Sequence, residues 1–271
     1  MKKIKNEKLH PGVISDDPAI RHTKSKYLPN ESENFYKKLT PIGIPTRFKG
    51  CFNFESVSKD LYLNYSRFNL DWMDELEIVP KIIFDVGCNN GGDSIRFKQR
   101  WGNVQVHAFE ADPDIGNLIK YYMKNEGIIF SNVGVSDEDG EEIFYPAVVA
   151  SNRQVTCGAG TFIKSRVDES KINDHRIIFL DPIKIKTISL YTYCQENNIK
   201  EIDLLHTDAE GYELNIIKGL KNIRPKVIFA EQHNLILSKE QLNNFHVYML
   251  ENEYQLECHD GVDVLYIDKK L

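Results

Sequence analysis

With 271 residues, 41% of them hydrophobic, the chain is long enough for one large α/β domain with extensions. A formal charge of -6 and an isoelectric point near 5.8 provide no basic footprint for a polyanion, which argues against nucleic acid as a partner. No apolar run approaches the roughly 20 residues that span a bilayer and no signal-type apolar segment follows the lysine-rich start, so a cytoplasmic protein that does not enter the membrane is expected.

Residues 1 to about 30 carry Lys, Asp and Pro without an apolar period and read as an extended arm, with Arg21, Lys24 and Lys26 as its basic positions. A short helix is expected from Glu33 to Leu39, ended by Pro41 and Pro45, and a second from Leu61 to Leu76 that carries Tyr62, Tyr65, Phe68 and Trp72. Residues 1–80 are thus an N-terminal arm and helical extension. The extension either packs on the core, covers a site or forms a dimer surface, which leaves a homo-oligomer open.

From Ile82 the pattern alternates strand and helix, as in a parallel sheet covered on both faces. Strands are predicted at 82–86, 104–109, 128–132, 203–207 and 226–231, and helices at 93–101, 113–125, 189–197, 212–221 and 238–250. Between about Glu141 and Lys186 the helical period disappears. The apolar runs Ile143-Phe144-Tyr145, Ile177-Ile178-Phe179 and Ile183-Lys184-Ile185 suggest strands around a loop at Thr156–Thr161, so 141–186 reads as an insertion within a domain spanning 81–271. Two closing strands, 254–258 and 263–268, flank the turn His259-Asp260-Gly261 and imply an antiparallel edge. Cys51, Cys88, Cys157, Cys194 and Cys258 are far apart with no CxxC pair, against both a disulfide framework and a structural zinc site.

In an open parallel sheet the ligand sits outside the carboxyl ends of the strands, where Asp85, Glu110, Val133, Asp208 and Glu231 fall. The run Ile82-Ile83-Phe84-Asp85-Val86-Gly87-Cys88-Asn89-Asn90-Gly91 is a strand and a tight turn leading into a helix whose free N–H groups face the same spot. Glu110 lies a little over twenty residues past Gly87, where such folds place a carboxylate for ribose hydroxyls. A dinucleotide turn would read GxGxxG. Here Asp85 precedes the glycines with no basic residue nearby, which suits a cationic ligand such as S-adenosylmethionine better than a diphosphate and disfavours a nicotinamide-dependent oxidoreductase.

These segments resemble a known family. Asp85 to Gly91, Phe109-Glu110-Ala111-Asp112-Pro113, Asn132 to Gly140 and, above all, Asp203 to Gly219 look like the FkbM-type S-adenosylmethionine-dependent methyltransferases, whose second signature usually reads D-L-L-K-I-D-V-E-G-x-E-x-x-V-L-x-G. The resemblance covers roughly residues 80 to 235. It implies a class I methyltransferase (Rossmann-like) fold: a mostly parallel seven-stranded sheet with an antiparallel last strand and helices on both faces. It also implies O-methylation of a glycan or small-molecule acceptor. Carried onto this sequence, Asp85, Gly87, Asn89 and Gly91 hold the methionine part and Glu110 the ribose. The stretch with Val133 and Ser136 either approaches the adenine or forms a hairpin turn capped by Asp137 and Gly140. The family's Thr-Leu-Asp-Asp appears as Thr187-Ile188-Ser189-Leu190, without the acids; this departure is the support for an alternative in which the fold binds cofactor or a partner without catalysis. Ser189 is still suited to cap the helix.

On the acceptor side Asp208, Glu231 and His233 are the expected catalytic residues, with His233 as the base for a hydroxyl that loses its proton during in-line attack. Asp208, Glu210 and Glu231 are also hard oxygen donors of the kind that bind magnesium or calcium, so they are the candidates for a divalent metal. Glu213, in the first turn of its helix, has a favourable position there without any ligand. His206 is expected to be buried structure, and Cys88 a small packed residue in the turn.

Overall fold

The computed structural model describes residues 73, 76–149, 158–173, 177–232, 236–259 and 263–271. The helix expected at 33–39, nearly all of that at 61–76 and His233 lie outside the described residues. In chain order the elements are β1 (Ile82–Val86), α1 (Gly92–Trp101), β2 (Gln105–Phe109), α2 (Pro113–Asn125), β3 (Ile129–Ser131), β4 (Gly134–Ser136), β5 (Gly140–Phe144), β6 (Ala147–Val149) and α3 (Lys164–Asn173). There follow β7 (Ile177–Phe179), β8 (Ile183–Ser189), α4 (Leu190–Glu196), β9 (Leu204–Thr207), α5 (Glu213–Lys218), β10 (Val227–Glu231), α6 (Lys239–Glu251), β11 (Tyr254–His259) and β12 (Asp263–Asp268).

Seven strands form one sheet in the order β11-β12-β10-β9-β1-β2-β3. Pairing is parallel from β10 to β3, and β12 runs antiparallel to both β10 and β11. The order reverses at β1: β2 lies on one side of it and β9 on the other, so a crevice opens at the carboxyl ends of β1 and β9.

Alternate strand residues face opposite sides of the sheet, and two apolar clusters result. Ile83, Val106, Leu204 and Phe229 pack under α1 and α2, whereas Phe84, Leu205 and Ile228 pack under α4, α5 and α6. Asp203 closes the end of the sheet remote from the crevice: its Oδ2 accepts from the Lys81 and Ile82 amides at 2.7 and 2.9 Å, and its Oδ1 from Lys226 Nζ at 2.6 Å. Among the described residues no helix is long and apolar enough to cross a membrane.

The stretch from Glu141 to Lys186 differs from the expectation in one respect, since α3 lies within it. Only Val167 and Ile172 are apolar among its ten residues, too few to draw a helical stripe in the sequence. β4 and β5 do not pair as a hairpin. Both pair with β8, in parallel and antiparallel register respectively, to make a second sheet beside the crevice.

Candidate active site

The turn after β1 needs its glycines for two different reasons. Gly87 has φ +80°, and a Cβ there would lie 2.0 Å from the Asp208 carbonyl oxygen; at Gly91, φ +83°, a Cβ would lie 2.5 Å from Met123 Sδ. The turn is therefore pressed against the β9 rim on one side and α2 on the other. Asn89, between them, is also left-handed at φ +48° and donates its amide to Glu110 Oε2 at 2.8 Å.

Glu110 is buried where β2 ends. Its Oε1 accepts from the Asp112 amide at 2.7 Å, and burial, the largest influence, pushes its carboxyl up to about 8 despite that bond and the one from Asn89. Asp112 caps α2 by accepting from the Asp114 amide at 2.9 Å, with Pro113 in the first helical turn. Asn132 Nδ2 donates to the carbonyls of Glu110 and Asp112 at 2.7 and 3.1 Å, which fixes the loop that carries Glu110.

Asp85 is fully buried. Its Oδ2 accepts from Ser94 Oγ, and its Oδ1 bonds His206 Nδ1 at 2.7 Å. Burial alone would lower the His206 pKa; the bond to Asp85 and its charge, with Asp93 and Asp208 nearby, carry it instead up to about 9. At neutral pH the imidazole is thus a buried cation among acids. Cys88 is buried too, and its thiol is pushed up by burial and then by Asp85 and Glu110, so it is a packed residue and not a thiolate.

Beyond β9 the chain turns through Asp208, Ala209, Glu210 and Gly211, with Glu210 left-handed at φ +55°. Glu213 holds this turn: its Oε1 accepts from the Ala209 and Gly211 amides at 2.9 and 3.2 Å. One carboxylate oxygen from each of Asp208, Glu210 and Glu231 lies within 4.8 Å of the others. Burial comes first among the causes that raise all these acids, Glu210 up to about 8, Glu213 up to about 7 and Glu231 well above the carboxylate range. Asp208 is likewise raised by burial, opposed by the charge of His206 and by a hydrogen bond with Glu231.

A single cavity joins these parts. Gly87, Asn89 and Glu110 line one wall, Asp208 and Glu210 the other, with His206 at the lining as well. Phe144 and Phe162 from the 141–186 stretch line it too, with ring centroids 5.2 Å apart, and Phe162 stands 4.8 Å from Tyr212. Val133 and its neighbour Val135 face the cavity. Ser136 does not line it; fully buried beneath, its hydroxyl donates to Glu142 at 2.5 Å and meets Tyr212 Oη at 3.1 Å. Gly91 is likewise set behind the wall, as the residue before α1.

The acids absent before α4 are supplied from elsewhere. Ser189 Oγ accepts from the Thr192 amide at 3.2 Å, and Asp139, in the turn between β4 and β5, accepts from the Ser189 amide and from Thr192 Oγ1, both at 2.7 Å. The departure from the family pattern at Ser189 therefore preserves a capped, acid-complemented helix start.

Residues 85–256, from the strand end at Asp85 to β11, match the methyltransferase FkbM domain. The chain belongs to the FkbM methyltransferase family. Its sheet order and antiparallel β12 are those of a class I methyltransferase fold. This FkbM-family chain is 28% identical over 171 residues to the 2-O-methyltransferase NoeI of Sinorhizobium fredii, a match that covers 62% of this chain and 69% of that protein. It is 25% identical over 151 residues to the hexuronic acid methyltransferase AglP of Haloferax volcanii, covering 55% of this chain and 54% of AglP. Among solved structures it resembles the methyltransferase FkbM from Methylobacillus flagellatus, at 13% identity and a TM-score of 0.44, over 69% of this chain and 43% of the other.

Three features of the site carry little sequence signal. Phe144 and Phe162 sit in an aperiodic stretch, Arg166, whose Nη2 forms an ion pair with Oε2 of Glu210, sits in a polar helix, and Asp139 reaches Ser189 across 50 positions. Only the parity of β9, which places His206 on the same face as Leu204, hints at its buried position.

Proposed function

We propose that the chain moves the methyl group of S-adenosylmethionine to a hydroxyl of a saccharide or other small molecule. The observation that carries this is the cavity's two chemically distinct walls: a glycine turn with Glu110 on one side, and Asp208 with Glu210 on the other, Glu231 standing next to them behind the lining. The names of two relatives, one for 2-O-methyl transfer and one for methylation of a hexuronic acid, support an oxygen acceptor on a sugar.

On this reading the backbone of Gly87 and Asn89 contacts the methionine part, Asp85 and the acids around it favour the positive donor, and Glu110 accepts from the ribose hydroxyls. Gly91 sets the direction of α1, and Val133 with Val135 forms the apolar seat for the adenine. Ser136 supports that seat from below through Glu142 and Tyr212. Asp208 and Glu231 share one hydrogen bond, so the pair is suited to take up the proton that the acceptor hydroxyl releases during in-line attack. His233, two residues past Glu231, is a further candidate base.

Asp208, Glu210 and Glu231 would also hold a divalent cation. Three hard oxygen donors converge, and crowding of like charges in this half-buried cluster would be relieved by a cation. The chemistry supplied there would be polarisation of an acceptor hydroxyl toward loss of its proton.

Titration calorimetry with S-adenosylmethionine, followed by a labelled-methyl transfer screen over glycans and metabolites, tests the function. Folded protein that binds no cofactor refutes it. Cofactor binding without transfer to any acceptor favours the alternative of a non-catalytic binding protein, whose support at Ser189 is weakened by the Asp139 bonds. Full activity after exhaustive chelation removes the metal.

A further inference from the structure

Asp93, in the first turn of α1, is buried and lines the cavity together with Asp85, Gly87 and His206. Its charge helps to raise the pKa of both His206 and Asp208, so its carboxylate stands on the side of the turn that faces β9. An acid in a first helical turn is ordinarily an exposed group that interacts with the helix dipole. Burial removes its hydration, and at this position the carboxylate borders a ligand-sized space instead.

Asp85, the acid that leads the glycine turn, is fully buried and both its oxygens are engaged, Oδ2 by the Ser94 hydroxyl and Oδ1 by His206. Asp93 is placed differently. Its Oδ1 meets Arg96 Nη1 at 3.4 Å, a long contact, and Arg96 does not line the cavity. A carboxylate accepts at about four lone-pair sites, so a ligand can share Asp93 with its protein partners. The amino-acid end of S-adenosylmethionine carries an ammonium and a carboxylate on one carbon. With that end on the Gly87 and Asn89 backbone, the ammonium loses water and needs an acceptor, and a carboxylate makes the strongest such hydrogen bond.

We infer that Asp93 accepts hydrogen bonds from the α-ammonium group of the bound methyl donor. The inference rests on the S-adenosylmethionine reading of the cavity and gives the amino-acid end of the donor its own partner. A ligand without that nitrogen leaves the Asp93 carboxylate facing the cavity with no cation from the ligand and binds more weakly. Asp93 is thus a donor-binding residue, distinct from Asp85, which braces the turn from beneath.

The test is calorimetric titration of the full chain with S-adenosylhomocysteine and with its analogue lacking the α-amino group. The wild type binds S-adenosylhomocysteine at least about tenfold more tightly than the analogue. Asp93→Asn lowers the affinity for S-adenosylhomocysteine by a similar factor and leaves that for the analogue unchanged, which also reports a folded site. Asp93→Ser, a second variant that keeps a small polar residue at the helix start, behaves alike. Equal binding of the two ligands by the wild type, or a loss shared equally by both ligands in the variants, overturns the inference. A loss seen with S-adenosylmethionine and not with S-adenosylhomocysteine places Asp93 at the sulfonium and overturns it as well. Failure of the wild type to bind S-adenosylhomocysteine refutes the methyl-transfer reading instead, so the two failures are told apart.

Discussion

Asp85 and His206 stand side by side in the β1–β9 ladder and join through a 2.7 Å bond between Oδ1 and Nδ1, buried from solvent. The family signature carries Lys where His206 stands, so what the position supplies is a cation beneath the turn. Replacing His206 by Leu leaves the Asp85 carboxylate buried without its partner and is expected to cost about 3–5 kcal/mol in urea denaturation. His206→Lys is expected to recover a large share of that loss. Equal stability of the Leu and Lys variants contradicts this role.

Glu110 is held by two backbone amides and faces the cavity, ready to accept from a diol. Glu110→Ala removes a hydrogen-bond acceptor worth about 1.5–3 kcal/mol to a ligand, so affinity for S-adenosylhomocysteine is expected to fall at least about tenfold. Calorimetry reads this directly, and an unchanged dissociation constant excludes the ribose contact.

At Gly87 the Asp208 carbonyl occupies the space a methyl group would need, and the backbone is left-handed. Gly87→Ala therefore combines a conformational cost of about 1–2 kcal/mol with displacement of the β9 rim. Both the melting temperature and cofactor affinity are expected to drop. A variant with wild-type stability would mean that the turn yields without effort.

Asp208→Asn and Glu231→Gln keep the size of each side chain but remove its ability to take a proton. Turnover in a methyl-transfer assay is expected to fall by about 100-fold or more, the range of general base catalysis, with cofactor affinity held within a few-fold. Retained turnover in both variants would shift the base to His233.

Stability should decline as pH rises above neutrality. Glu110 is raised to about 8 and His206 to about 9, so each binds its proton more tightly in the folded chain than in the unfolded one. The advantage from Glu110 is complete below its unfolded value and is lost as pH climbs through about 8; that from His206 is complete below its own and is lost through about 9. The melting temperature at about pH 9 is expected to lie below that at about pH 6. A flat or rising profile would contradict the burial of these charges.

Much of the fold was legible because its periods are plain. The predicted spans of β1, α2, β7 and β12 coincide with the structure, since each is bounded by a turn residue, a cap or a change of period. Asp208 and Glu231 were picked out as strand-end acids and Glu210 as the acid of the turn after β9, and one carboxylate oxygen of each lies within 4.8 Å of the others. What could not be read was contact across long separations with no period behind it. Ser136 points into a hydrogen-bonded core through Glu142, six positions on, and Tyr212, 76 positions on, whereas Val135 takes the cavity face. Two apolar residues in ten could not announce α3, which is held by tertiary packing that buries Val167.

The signature from Asp203 to Glu213 looks like one motif, yet β9 separates Asp203 from Asp208 by a strand's length, about 17 Å. Asp203 fastens three neighbouring strands at the floor, and Asp208 opens onto the crevice at the roof. Sequence similarity through this segment thus reports two inheritances at once, an anchoring device and a chemical one. A relative can keep the first intact while the second drifts toward a different acceptor, and overall identity would hardly register the change.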